Sequence, residues 1–131
     1  MSARRGYKLT AFAAVLLFVG IVAAGAPASL HLALSKAEPA VDSTITTAPS
    51  AISLFFTQAP QEGATAIRLV DSREQEVPLA EPKPDASDAK VIRAALTAPL
   101  PSGAYQVVWR TVASDGHVVR GDFRFTYRPD S

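Results

Sequence analysis

Between Gly103 and Tyr127 the side chains alternate in two runs. Tyr105, Val107 and Trp109 interleave with Gln106, Val108 and Arg110, and Phe123, Phe125 and Tyr127 interleave with Asp122, Arg124 and Thr126. A period of two sends successive side chains to opposite faces, so both runs predict strands with one face buried. Ser114-Asp115-Gly116-His117 separates them. Asp-Gly between two such runs predicts a β-hairpin. A turn alone does not account for a carboxylate and an imidazole two positions apart.

The same pattern, more weakly drawn, fills the chain before this hairpin. His31 to Lys36 alternates and predicts a first strand, and Glu38 to Ser43 predicts a turn in which Pro39 withholds a backbone donor. Thr44 to Pro49 leads to a strand over Ile52–Thr57, with Ile52, Leu54 and Phe56 on one face. Further strands are predicted over Ala66–Val70, at a short edge from Glu76 to Leu79, and over Val91–Leu96. Glu81 to Asp88, with two prolines and four charged residues, predicts an exposed loop. About seven short strands at near-regular turn spacing, with no helical period, predict an all-β, Greek-key, immunoglobulin-like sandwich. Leu100-x-x-Gly103-x-Tyr105 has the form of a tyrosine corner, where the phenol ties back to nearby backbone. Tyr105, Trp109, Phe56, Phe123 and Phe125 are assigned to the core and to no chemistry.

The N-terminus follows a different pattern. Arg4, Arg5 and Lys8 precede an uncharged apolar run from Leu9 to Ala26, and Ala26-Pro27-Ala28 follows as an A-x-A cleavage site. This order predicts a signal peptide over 1–28 and one exported domain over 29–131. Ala24-Gly25-Ala26 would leave Pro27 first, which disfavours cleavage there. The apolar run is long enough to span a bilayer, so membrane contact is expected only through the leader if it stays uncleaved. Arg4-Arg5-Gly6-Tyr7-Lys8-Leu9 is also similar to a twin-arginine export signal, with Tyr7 where Phe is more usual.

Removing the leader changes the charge balance. Of 13 Lys and Arg, three leave with the leader, so ten face 12 Asp and Glu, a net charge of −2. No basic stripe remains, and nucleic-acid binding is excluded on that ground. There is no cysteine, and the one methionine is Met1. Any metal bound by the exported domain must use nitrogen and oxygen donors.

Asp115 and His117 supply one of each. In an extended backbone, residues two apart project to the same side. His31 is the other of the chain's two histidines, and a Greek-key sandwich can bring the N-terminal strand beside such a turn. Cu(II) favours tetragonal nitrogen and oxygen coordination, whereas zinc would want a fuller set of strong ligands than is visible. A serine hydrolase built from Ser114, Asp115 and His117 is excluded, because neighbours in one turn cannot form the relay. Short D-x-H spacing also occurs in turns with no ligand role, which leaves a metal-independent, immunoglobulin-like interaction module of the cell envelope as the alternative.

Read together, these residues resemble the CopC copper-resistance family of small exported β-sandwich proteins. His31, Leu34 and Pro39 match H-x-x-L-x-x-x-x-P. Pro99, Leu100, Gly103, Tyr105, Val107, Trp109 and Arg110 match P-L-x-x-G-x-Y-x-V-x-W-R. Ala113, Asp115, His117 and Gly121 match S/A-x-D-x-H-x-x-x-G. The resemblance implies a non-enzymatic, periplasmic protein that binds a Cu(II) ion through His31, Asp115 and His117, in copper resistance, homeostasis or delivery, with a CopD-type inner-membrane copper transporter as partner.

Three departures bear on that expectation. Members that also bind Cu(I) carry a Met-rich segment, which is lacking here. Where many members have F-S-E, this chain has Phe56-Thr57-Gln58. The ligand histidine is commonly the first mature residue, whereas cleavage after Ala28 leaves Ser29-Leu30-His31. A histidine third from a free amine can bind Cu(II) through the amine, two deprotonated amides and its imidazole, a mode that competes with Asp115 and His117. A copper oxidase or oxygenase is disfavoured, because the carboxylate would occupy a reactive position and no substrate surface is legible.

Overall fold

The computed structural model describes residues 31–130; the expected leader and its cleavage site lie outside the described residues. Two sheets face each other, as the alternation predicted. The first contains β1 (Leu34–Glu38), β3 (Ala51–Phe56), β7 (Val91–Ala95) and β6 (Lys83–Pro84), in the spatial order β1-β3-β7-β6. The second contains β2 (Ser43–Ile45), β9 (Val118–Tyr127), β8 (Gly103–Val112), β4 (Ala66–Asp71) and β5 (Glu76–Val77), in the order β2-β9-β8-β4-β5. All pairings are antiparallel except β2 with β9, where Ser43 to Ile45 run beside Phe125 to Tyr127. Among the described residues no helix is long and apolar enough to cross a membrane.

Differences from the expected strands have local causes. β1 begins at Leu34, not His31; the segment before it is held by Thr57, whose hydroxyl and backbone bond to Ala33 and His31. β2 was expected to be a lead-in; three residues suffice for it because β9 supplies the template from far along the chain. β6 falls in the stretch expected to be loop. Its two residues lie at the edge of the first sheet, where Pro84 need not donate to a further strand.

The core lies between the sheets. Ile52, Leu54 and Phe56 of β3 meet Ile67 and Leu69 of β4, Tyr105, Val107 and Trp109 of β8, and Phe123 and Phe125 of β9. Phe56 and Trp109 meet edge to face across the two layers, with ring centroids 5.3 Å apart and planes at 69°. Such a pair contributes about 0.5–1.5 kcal/mol beyond its buried area. Tyr105 stacks on its direct cross-strand partner Phe125 at 5.5 Å, and its hydroxyl donates to the Pro101 carbonyl, closing the expected tyrosine corner.

One position in the central hairpin has no room for a side chain. Gly121 lies opposite Trp109 in the ladder, and a Cβ there would come within 2.5 Å of the indole. The ring therefore lies directly over the glycine backbone. The indole Nε1 is buried without a hydrogen-bond partner among the described residues, a cost of about 1–3 kcal/mol that the ring's packing must exceed.

Candidate metal centre

The β8–β9 ladder runs from Gly103↔Tyr127 to Val112↔Val118, and the turn at its tip carries Asp115 and His117. The connection closes by two backbone bonds, Gly116 N to Ala113 O at 2.9 Å and Ala113 N to His117 O at 2.8 Å. Gly116 has φ +93°, with nothing near the position its Cβ would take, so glycine is required by conformation, not by space. This is the three-residue hairpin loop in which a β-turn is followed by a left-handed glycine. The expectation that an extended backbone aims Asp115 and His117 to one side is therefore corrected. They share a side because the turn folds one carboxylate over both the amide and the ring of His117.

Asp115 Oδ1 accepts the His117 backbone N–H at 3.0 Å, and Oδ2 lies 2.8 Å from His117 Nδ1. The backbone N–H of His117 is the main cause, and its imidazole the second, holding the Asp115 carboxyl below the usual carboxylate range. An ionised carboxylate only accepts. In the neutral ring the proton must then sit on Nδ1, which leaves the Nε2 lone pair for a metal. A carboxylate that fixes a histidine tautomer in this way is a recurrent arrangement behind metal-ligating imidazoles. Both side chains are well exposed, at 81% for His117 and 55% for Asp115, so the pair adds little to stability.

His31 comes to the same end of the sandwich. Its neighbour Leu32 is buried in the core, and the β3–β4 loop holds its backbone. Thr57 Oγ1 accepts from Ala33 N at 3.0 Å and donates to His31 O at 3.3 Å, while Thr57 N donates to Ala33 O at 2.9 Å. Four residues on, the same loop grips the other partner. Gln61 N donates to Val112 O at 2.9 Å, and Gln61 Nε2 to Ala113 O at 3.1 Å, where the turn begins. One loop thus tethers the His31 segment and the Asp115–His117 turn.

A depression of about 130 Å³ results, lined by His31, Gln58, Asp115 and His117 among others. The structure brings Asp115 and His117 into direct contact and sets His31 on the same depression. Among the described residues, however, no three His, Asp or Glu side chains are grouped closely enough to hold a metal ion as placed. The donor chemistry suits Cu(II), with two imidazoles, one carboxylate and no sulfur. Closing three of these groups on one ion requires side-chain rotation at exposed positions. Sequence reasoning missed the tether. Thr57 stands where a serine is common, and the hydroxyl shared by both residue types was its only signal; nothing local marked Gln61.

The family model described as the CopC domain matches residues 34–128. The chain belongs to the CopC domain family. It is 30% identical over 107 residues to copper resistance protein C of Escherichia coli, covering 77% of this chain and 84% of that one. The fold is similar to that of CopC from Methylosinus trichosporium OB3b, with a TM-score of 0.71 and 27% identity, covering 77% of this chain and 97% of that one. It is also similar to PcoC, named a methionine-rich copper resistance protein, from Escherichia coli, with a TM-score of 0.67 and 29% identity over 75% and 99% of the two chains. Against the methionine-rich relative, this CopC-domain chain keeps the sandwich with Met1 as its one methionine.

Proposed function

We propose that this CopC-domain protein is exported, loses residues 1–28, and binds a single Cu(II) ion as cargo in copper resistance, homeostasis or delivery. His31 and His117 contribute imidazole nitrogens and Asp115 a carboxylate oxygen or, as it stands here, the hydrogen bond that orients His117. The observation that carries this reading is the shared depression. Its nitrogen and oxygen donors come from opposite ends of the chain and are held by one loop, on a fold whose relatives are named for copper resistance. The protein acts by binding, not by turnover, in the periplasm. A CopD-type inner-membrane transporter is the proposed recipient or donor of the ion.

Binding displaces protons. An imidazole must be neutral to present its lone pair, so uptake releases protons and affinity falls on acidification. Asp115 is held ionised below the ordinary carboxylate range.

A native mass spectrum of the exported protein with added Cu(II) tests this reading. The expected species begins at Ser29 and retains one copper. Absence of retained copper would favour the metal-independent interaction module. A start at His31 would give the terminal amine and imidazole to one ion, whereas a start at Ser29 offers the mode through the amine and two amides.

A further inference from the structure

The outer face of the five-stranded sheet has a pattern that the copper site does not use. The registers of β4, β8 and β9 place outward side chains in rows, Ala66–Arg110–Arg120 and Arg68–Val108–Asp122. Arg110 and Arg120 are direct cross-strand partners. Like charges in that relation are destabilising. Both are exposed, and neither has a carboxylate partner among the described residues. Arg68 meets Glu76 at 3.8 Å with both side chains more than half exposed, a contact of small energetic value. Asp122 accepts from Gln106 Nε2 at 3.0 Å.

Arg68, Arg110, Arg120 and Asp122 line a depression of about 630 Å³ that shares no residue with the one at the metal turn, with half-buried Val108 in it. Three arginines and one aspartate thus line it, on a domain whose expected exported form carries net negative charge. Arg110 and Arg120 face each other across the ladder with no carboxylate in salt-bridge reach among the described residues, so an anion from outside would relieve their repulsion. Guanidinium pairs bidentately with planar carboxylates, and Val108 offers an apolar contact between the charges. The exposed large apolar side chains among the described residues, Val41 and Val118, lie outside this depression. A concave surface without an apolar rim fits a protruding chain segment better than the plane of a bilayer.

We propose that this face docks a segment of a partner protein in which carboxylates alternate with aliphatic side chains, with Arg110 and Arg120 as its principal anion contacts. The proposal does not depend on copper, and its failure would leave the metal reading untouched.

Fluorescence anisotropy with a fluorescein-labelled peptide alternating glutamate and valine provides the test on the full exported protein. Binding should saturate, weaken with salt, and fall about tenfold in the R110Q/R120Q double variant. The peptide alternating glutamine and valine should not bind. R120Q alone, which relieves the like-charge pair, should melt no lower than the parent. Equal binding of the glutamate peptide to parent and double variant would overturn the proposal. So would equal binding of the glutamine peptide, or binding to phosphatidylglycerol vesicles with none to the peptide. A lowered melting temperature in R120Q would show the arginine pair serving the fold, and would count against it equally.

Discussion

The body and the tip of the β8–β9 hairpin obey different rules. In the body, Tyr105, Val107, Trp109, Phe123 and Phe125 are at most 5% exposed and held by packing. At the tip, Asp115 and His117 stand in solvent and are held by hydrogen bonds to each other and by a loop that grips the residues before them. The body can lose stability without changing the donor set, and the tip can lose its chemistry without changing the fold. That separation of scaffold from site makes the two regions distinguishable by mutation.

The largest effect is expected at Trp109. Trp109→Ala removes the inter-layer contact with Phe56 and should cost about 3–5 kcal/mol, read as a lowered denaturation midpoint. Gly121→Ala drives a methyl group into the same indole and should cost about 1–3 kcal/mol. The folded fraction of that variant should still bind one copper. Loss of copper stoichiometry there would mean that body and tip are coupled.

Tyr105→Phe removes the bond to Pro101 at the far end of the hairpin and should cost about 1 kcal/mol, with copper affinity unchanged. Gln61→Ala breaks the side-chain half of the tether to Ala113, with a similar cost of about 1 kcal/mol, but here copper affinity should also fall, because the turn is less well held. The contrast between these two variants, read by isothermal titration, tests whether the loop positions the site.

The smallest stability change is expected at the tip itself. Asp115→Asn should leave the denaturation midpoint nearly unchanged at neutral pH, because both partners of the pair are well exposed. The sign follows from the depressed carboxyl. Whatever stability Asp115 adds is present above the unfolded-state pKa and is lost as pH falls through the lower folded value. Any difference between parent and variant should therefore vanish in strong acid, as read from denaturation midpoints over an acid series.

The body was legible in the sequence because burial on one face imposes a period of two on every long strand, as in Tyr105 to Trp109 and Phe123 to Tyr127. β2 and β6 were not, because two or three residues carry no period and their pairing is decided by strands elsewhere in the chain. At the tip, residue type and spacing pointed to Asp115 and His117, with His31, the chain's other histidine, as a further nitrogen donor, and the family resemblance made the three a ligand set. The reason Asp115 and His117 lie together was misjudged, since a turn and not an extended backbone brings them into contact. The tether could not be read, because Gln61 reaches a carbonyl 52 positions away and no local pattern records such a bond.

Electron paramagnetic resonance of the Cu(II)-loaded exported protein, compared with its His117→Ala variant, tests the central claim most directly. The parent should show a tetragonal Cu(II) signal with nitrogen couplings, and the variant should lose one imidazole nitrogen and bind more weakly. An unchanged spectrum and affinity in His117→Ala would contradict the proposal that the hairpin tip holds the metal.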